Sequence, residues 1–281
     1  MKIITAVVNN PGFIEIQHHT LKKYFKGDYE FIVFNDAKDF PDFSNFGNTE
    51  IKKQIEETCA KLNIQCINIP NENHKTNMIA SVRTADSMHH ILQYQIKNPD
   101  KYLLLDSDMF LIDYFDIEKY SGYDCAVVFQ SRNNGANNYF WNGIYYFDML
   151  RMKNIHLLDW NCCPGCDTGG MMQKWLITQM AGHPMPNPDE IRWTDKVFHT
   201  DSIYFIKHLW SCSWNNTELP KNITNPRLVE YLKNDIRNVD GKFFCEIYDD
   251  VFLHYRAGGN WMKQNPQTHN YLTNYLKQCL E

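Results

Sequence analysis

Between Lys101 and Ile112 the chain reads Lys-Tyr-Leu-Leu-Leu-Asp-Ser-Asp-Met-Phe-Leu-Ile, so two carboxylates, Asp106 and Asp108, stand one residue apart between the apolar runs Tyr102 to Leu105 and Met109 to Ile112. Unpaired charge in a buried region is costly, and a sequence that keeps two acids there must give them partners. A short apolar run reads as a buried strand. Residues i and i+2 of a strand share a face, so the pattern predicts a strand end where Asp106 and Asp108 converge on one hard divalent cation. The plainer alternative is a strand end carrying two solvated acids. Further ligands elsewhere in the chain would decide for the cation.

The sequence before this stretch alternates regularly. Residues 2 to 8 are rich in β-branched side chains and stop at Asn9-Asn10-Pro11-Gly12, which predicts a strand and a turn. Phe13, Ile16, Leu21, Tyr24 and Phe25 follow at helical spacing, and Tyr29 to Phe34 reads as a second strand ended by Asn35-Asp36. The first loop of this βαβ unit lies at the carboxyl end of a strand, where open α/β sheets bind ligands. Ile51, Ile55, Thr58 or Cys59, and Leu62 mark a second helix, Ile64 to Ile69 a third strand, and residues 76 to 97 a third helix. Four strands alternating with three helices over residues 1 to 112 predict an α/β fold. No G-x-G-x-x-G or G-x-x-x-x-G-K-[ST] accompanies them, so the common dinucleotide and P-loop arrangements lose support.

Later segments are less regular. Strands are expected at Asp124 to Phe129 and Phe140 to Phe147, with a polar loop at 131 to 138 between them, and a helix at 169 to 181. No helix is expected across 182 to 192, which contains Pro184, Pro186 and Pro188. Strand-like pieces at 198 to 206 and 243 to 254 enclose a helix near 226 to 237, and an amphipathic helix closes the chain at about 268 to 280.

Composition narrows the partners. The 281 residues suffice for a sizeable core, and 28 basic against 33 acidic residues give a formal net charge of −5 with no basic tract, which argues against nucleic acid. The apolar run Ile3 to Val8 is too short for a signal-peptide core, and no stretch approaches the roughly 20 apolar residues that cross a bilayer. The expectation is a cytoplasmic protein without a transmembrane segment. Nine Cys, an odd number, without a secretory signal favour reduced thiols. Cys163-Pro-Gly-Cys166 has zinc-ligand spacing but no second pair to match it, and Asn215-Asn-Thr217 and Asn222-Ile-Thr224 are read as chance matches to a glycosylation pattern.

A second site-like stretch lies near the C-terminus, where Val251-Phe-Leu-His254-Tyr-Arg256-Ala-Gly258-Gly259 reads as a strand ending in a His, an Arg and a Gly pair. Leu-Asp-Ser-Asp-Met after a hydrophobic strand resembles the DXD motif of glycosyltransferases with the GT-A fold. His254 resembles the His that completes the metal site in glycogenin-like members, whose pattern is His, two residues, Gly, two residues, then Lys-Pro-Trp. Here the first Gly comes one residue later, and Gly259-Asn260-Trp261 replaces Lys-Pro-Trp, so Arg256 is the candidate for the phosphate contact that the Lys would make.

The resemblance, carried by motifs in the same order along most of the chain, implies one GT-A domain over 1–281. Its nucleotide-binding half is 1–112, its acceptor half 113–281, and its central sheet is Rossmann-like and mixed. It implies Asp106, Asp108 and His254 as ligands of Mn2+ or Mg2+. Arg83 and Asp86, three apart on one helix face, would serve the donor phosphates and the donor sugar. Val8, Asn9, Asn10 and Asp36 would lie by base and ribose, and Gly258 and Gly259 by the phosphates. Trp141-Asn142-Gly143-Ile144 resembles the Asn-Ser/Thr-Gly-Val strand under the donor sugar. Asp167, in Cys166-Asp-Thr-Gly-Gly170, resembles the acid beside sugar and acceptor, and is the candidate to orient either or to act as general base.

Each residue also has a structural alternative: a surface ion pair for Arg83 and Asp86, turn formation for residues 8 to 10 and Asp36, an N-cap for Asp167, a hydrogen-bonded strand-end imidazole for His254. Trp141, Trp160, Trp193, Trp261 and Tyr139 offer faces for sugar stacking. The implied activity is transfer of a sugar from a nucleoside-diphosphate donor, a UDP-sugar, to a glycan or other hydroxyl acceptor, with retention or inversion open. A sugar-phosphate nucleotidyltransferase would carry a Gly-rich basic loop after the first strand, which Asn9 to Phe13 is not. A non-catalytic carbohydrate- or protein-binding module has no need of three convergent ligands.

Overall fold

The computed structural model describes residues 1–75, 79–193, 199–259 and 265–281. The opening alternation folds as β1 (Lys2–Val7), α1 (Pro11–Tyr24), a two-residue β2 (Phe25–Lys26), β3 (Glu30–Asn35), α2 (Ile51–Leu62), β4 (Gln65–Asn68), α3 (Ala80–Lys97) and β5 (Lys101–Leu105). It continues through β6 (Met109–Leu111), β7 (Phe115–Asp116), α4 (Glu118–Ser121), β8 (Cys125–Arg132), β9 (Asn137–Asp148), α5 (Gln173–Gln179), α6 (Pro188–Trp193), β10 (Ile203–Phe205) and β11 (His208–Leu209). It ends with α7 (Pro226–Asn234), β12 (Glu246–Tyr248), β13 (Phe252–His254) and α8 (Pro266–Leu280).

Seven strands form the central sheet in the order β10-β8-β9-β5-β1-β3-β4. β1 pairs in parallel with β3 and β5, and β3 with β4, whereas β9 runs antiparallel to both β5 and β8. This mixed α/β sheet fits the Rossmann-like GT-A expectation. Strand periodicity sorts its side chains to two faces. Ile4, Tyr102 and Leu104 pack with Met88, Ile91 and Leu92 of α3, while Ile3, Leu103 and Leu105 pack with Ile14 and Leu21 of α1 and Ile55 and Cys59 of α2.

A second, antiparallel sheet has the order β11-β12-β13-β6. Its apolar face, with Phe110, Ile247, Leu253 and Tyr255, closes against Phe13 and Ile16 of α1 and against α7 and α8. Helix α1 therefore touches both sheets. Its start is fixed by Asn10, whose side chain accepts the Gly12 N–H, and by Pro11 in the first turn.

Three expectations are corrected. Asp106 and Asp108 are not on a strand: β5 stops at Leu105, the chain turns, and β6 begins at Met109 in the other sheet. Residues 243 to 254 form the hairpin β12–β13 instead of one strand, reversing at Asp249 and Asp250, which take positive φ of 48° and 66°. A short helix, α6, does form over the last part of 182 to 192 and on to Trp193, because Pro188 takes its first position, where a missing N–H costs nothing. Thr76, Asn77 and Met78 of the expected third helix, and Phe198 of an expected strand, lie outside the described residues.

Leu103 lies fully buried at the centre of the sheet, so Leu103→Ala is expected to cost about 2–5 kcal/mol in urea unfolding. A cost under about 1 kcal/mol would contradict this packing.

Candidate functional site

The turn between β5 and β6 is built by backbone bonds. Asp106 N–H donates to Gly143 O (2.6 Å), the last link between the turn and β9, and Met109 N–H donates to Asp106 O (3.0 Å). The Gln17 amide, from α1, donates to Asp106 O (2.7 Å) and Met109 O (3.1 Å), pinning both ends of the turn. The two carboxylates converge through this turn rather than through strand alternation. His254 reaches them from β13, where it pairs across the ladder with Met109.

Asp108 is only 3% exposed and fully engaged. Its Oδ1 lies 3.0 Å from His254 Nε2, its Oδ2 accepts the Gly258 N–H at 2.8 Å, and its carbonyl accepts the Tyr255 N–H at 2.8 Å. Half-buried Asp106 places Oδ2 3.9 Å from the same Nε2. One ligand atom from each of Asp106, Asp108 and His254 lies within 4.8 Å of the others, and among the described residues no other group of three His, Cys, Asp or Glu side chains does so. The Cys163/Cys166 pair thus has no third ligand there.

On the far side of the imidazole, His254 Nδ1 is 2.8 Å from Glu246 Oε2. Tyr248 Oη–H donates to that same oxygen at 2.9 Å and Ser211 N–H to Oε1 at 3.1 Å. Burial opposes charge on all these groups, yet the His254 imidazolium, joined by the Gly258 N–H at Asp108 and by Ser211 N–H and Tyr248 Oη–H at Glu246, holds both carboxyls below their ordinary range. The two carboxylates in turn keep His254 well above the ordinary imidazole value. At Asp106 burial and the Asp108 charge outweigh the more distant His254 and the Ser107 N–H (2.8 Å), and push it up to about 7.

The donor set fits a divalent metal, since two carboxylate oxygens and one imidazole nitrogen suit Mn2+ and carboxylates suit Mg2+. A glycine is required at the rim. A Cβ on Gly258 would lie 2.7 Å from Asp108 Oδ2 and 2.6 Å from the Phe13 ring.

The remaining residues fall into two groups. Around the metal ligands, Asn142 precedes Gly143, and the Trp141 ring lies over Gly143, stacks on Tyr248 (5.4 Å, 19°) and sits 5.3 Å from His254. Asp167 lies near enough to add to the upward shift of Asp106. Its loop is tied to the start of α3 by Thr168 Oγ1–H donating to Ser81 O (2.9 Å), and its own Oδ1 accepts the Thr168 N–H. Arg256, 43% exposed, places Nε 3.6 Å from Glu246 Oε1 and its guanidinium over Phe244.

The second group is a buried polar network under the first loops. Arg83, 5% exposed, pairs with Asp42 (2.9 Å) and with Ser44 Oγ (3.3 Å), over the Phe43 ring. Asn9 Nδ2 donates to Ser44 O (2.8 Å) and Gly259 O (3.0 Å), which links this network to the rim of the metal site. Asp36 is held by Lys38 (2.9 Å) and by Ser87 Oγ–H (2.8 Å), and Asp86 by His74 Nε2 (2.8 Å). Asn10 caps α1, and half-buried Val8 follows the last residue of β1. The structure thus joins Gly258 directly to Asp108, ties Asn9 to that rim through Gly259, and ties Arg83 to it only through Ser44 and Asn9.

Of the aromatic faces, Trp160 and Tyr139 are wholly buried, so they are core; Trp141 stays half-buried at the site. Trp261 and Asn260 lie outside the described residues, as does the side chain of Trp193. Sequence reasoning missed Gln17, Tyr248 and Glu246. Glu246 did carry a signal: it is the one charge in Phe243-Phe-Cys-Glu-Ile-Tyr248, as Asp106 and Asp108 are in theirs.

No known family pattern and no curated protein matches the sequence. Among solved structures the chain is similar to a crystal structure of an active-site mutant of LgtC, at 14% identity and a TM-score of 0.38 over 56% of this chain and 61% of that one. It is also similar to galactosyltransferase LgtC in complex with donor and acceptor sugar analogs, at 13% identity and a TM-score of 0.37 over 68% of each chain. The first match spans less than two thirds of its partner. Likenesses this distant assign neither family nor substrate, and the site stands on its own geometry.

Two outcomes follow from that geometry. Gly258→Ala is expected to destabilise the fold by about 1–3 kcal/mol in urea, with a matching loss of Mn2+ affinity. Because Asp106 and His254 both hold protons more tightly than usual and must release them to ligate, Mn2+ affinity is expected to rise by at least about tenfold between pH 6 and pH 8. Calorimetry showing the same affinity at both pH values would contradict this.

Proposed function

We propose that the chain is a metal-dependent glycosyltransferase of GT-A type, moving a sugar from a nucleoside-diphosphate donor, a UDP-sugar, to a glycan or other hydroxyl acceptor. The observation that carries this reading is the convergence of Asp106 and Asp108, from the turn at the carboxyl end of β5, with His254 from β13 of the second sheet. A binding module would gain nothing from burying this charge.

In this reading Asp106, Asp108 and His254 hold Mn2+ or Mg2+, which when bound neutralises the charge that grows on the leaving diphosphate. Arg256, exposed beside the site, pairs with phosphate oxygens. Gly258 and Gly259 let the diphosphate approach the backbone, with Asn9 fixing that segment and Arg83 bracing the loop that holds Asn9. Val8, Asn10 and Asp36 shape the floor for base and ribose. Asn142, Asp86 and Asp167 face the sugars, and Asp167 orients the acceptor hydroxyl or takes its proton. The nucleotide lies against residues 1–112 and the acceptor against residues 113–281. A cytoplasmic location is part of the proposal; separately, among the described residues no helix is long and apolar enough to cross a membrane.

The reading is tested by thermal shift against nucleoside diphosphates and nucleotide sugars with and without Mn2+. Stabilisation by UDP or a UDP-sugar is expected only with metal, by several degrees at ligand well above its dissociation constant, and is expected to vanish in Asp108→Ala. Absence of any nucleotide response under Mn2+ or Mg2+ would overturn it.

A further inference from the structure

Glu246 is a fully formed acceptor site aimed at one imidazole nitrogen. It sits on β12, directly across the ladder from His254 on β13, and is 6% exposed. Every contact on its oxygens comes from a donor: Tyr248 Oη–H and His254 Nδ1 reach Oε2, at 2.9 and 2.8 Å, while Ser211 N–H reaches Oε1 at 3.1 Å, with Arg256 Nε 3.6 Å away. An ionised carboxylate has only acceptors, so the group bonded to it from His254 has to be Nδ1–H. In the neutral ring that leaves the lone pair on Nε2, the atom that faces Asp106 and Asp108.

We propose that Glu246 is the positioning residue of the metal site: it fixes His254 in the Nδ1–H tautomer and in the ring orientation that presents Nε2 as a ligand. The inference rests on the metal-dependent reading above and adds to it a residue outside the ligand set. A carboxylate behind a ligating imidazole selects the tautomer and raises the basicity of the ligating nitrogen, and loss of such a partner costs about 10–100-fold in metal affinity. Trp141 and Tyr248 add packing against the ring, at 5.3 and 6.2 Å between centroids, but neither contact distinguishes one nitrogen from the other. Selection between the nitrogens falls to Glu246.

Glu246→Gln is the discriminating change, because it keeps the shape and removes the acceptor-only character. Ser211 N–H and Arg256 still call for an oxygen at the Oε1 position, so the amide NH2 is turned toward His254 Nδ1. The ring then accepts at Nδ1 and carries its proton on Nε2, where it blocks ligation. Mn2+ affinity measured by calorimetry on the full chain is expected to fall about 10–100-fold in Glu246→Gln, with the metal-free far-UV circular dichroism unchanged, and to recover in part in Glu246→Asp.

Equal affinity in wild type and Glu246→Gln would overturn the inference while leaving the metal-dependent reading intact. Absence of Mn2+ binding by the wild type, or binding indifferent to Asp108→Ala, would overturn both. Should Glu246→Gln fail to fold, the wild type alone decides. Nitrogen-15 chemical shifts of neutral His254 in the metal-free protein are expected to report Nδ1–H, and an Nε2–H tautomer would overturn the inference.

Discussion

Asp108 is charged, nearly inaccessible to water, and bonded from three sides: by the His254 imidazole, by the Gly258 N–H, and through its carbonyl by the Tyr255 N–H. All three partners belong to the end of β13 or the segment that leaves it, so Asp108 fastens the second sheet to the turn at the end of β5. A buried carboxylate is tolerated only when its lone pairs are occupied and an opposite charge is close. That requirement fixes where the β12–β13 hairpin lies relative to the central sheet.

The same requirement propagates outward. His254 can hold positive charge in the interior because Glu246 stands behind it, and Glu246 can stay ionised because Tyr248, Ser211 and His254 all donate to it. The chain after His254 then has to swing its backbone N–H groups back onto Asp108, and it does so with Arg256 and Ala257 at positive φ of 67° and 60°, an uncommon region for residues with a Cβ. Two strained residues followed by a glycine that admits no Cβ are a local cost which the paired charges offset. At the other rim, Asn9 connects Gly259 to the Arg83–Asp42–Ser44 network, so two buried polar clusters brace one loop junction.

Much of this was legible in the chain. Asp106, Asp108 and His254 were found because each interrupts or ends an apolar run, and the βαβ start was found because strand and helix periods alternate cleanly through residue 112. Less legible was how the acids converge. Strand alternation suggested a shared face, whereas a turn pinned by Gln17, 89 residues away from Asp106, brings the carboxylates together. Arg83 was picked out for its charge and its helix, but burial against Asp42 and Phe43 gives it a bracing position that no local pattern announces. Glu246 stands out only as a lone acid in an apolar segment, and its role depends on a cross-strand partner, His254, that the local pattern does not give.

The sequence by itself determined the α/β class, the order of the elements in the first half, the acids and imidazole available to a metal, and the glycine that must follow them, because these depend on residue type and local period. Only the tertiary structure decided that β5 and β6 belong to different sheets and that His254 faces Asp108 with one nitrogen and Glu246 with the other. It alone decided that Trp141 borders the site while Trp160 is core. Those outcomes depend on pairing between strands far apart in the chain, and such pairing is chosen by the simultaneous need to bury apolar faces and to satisfy every buried charge.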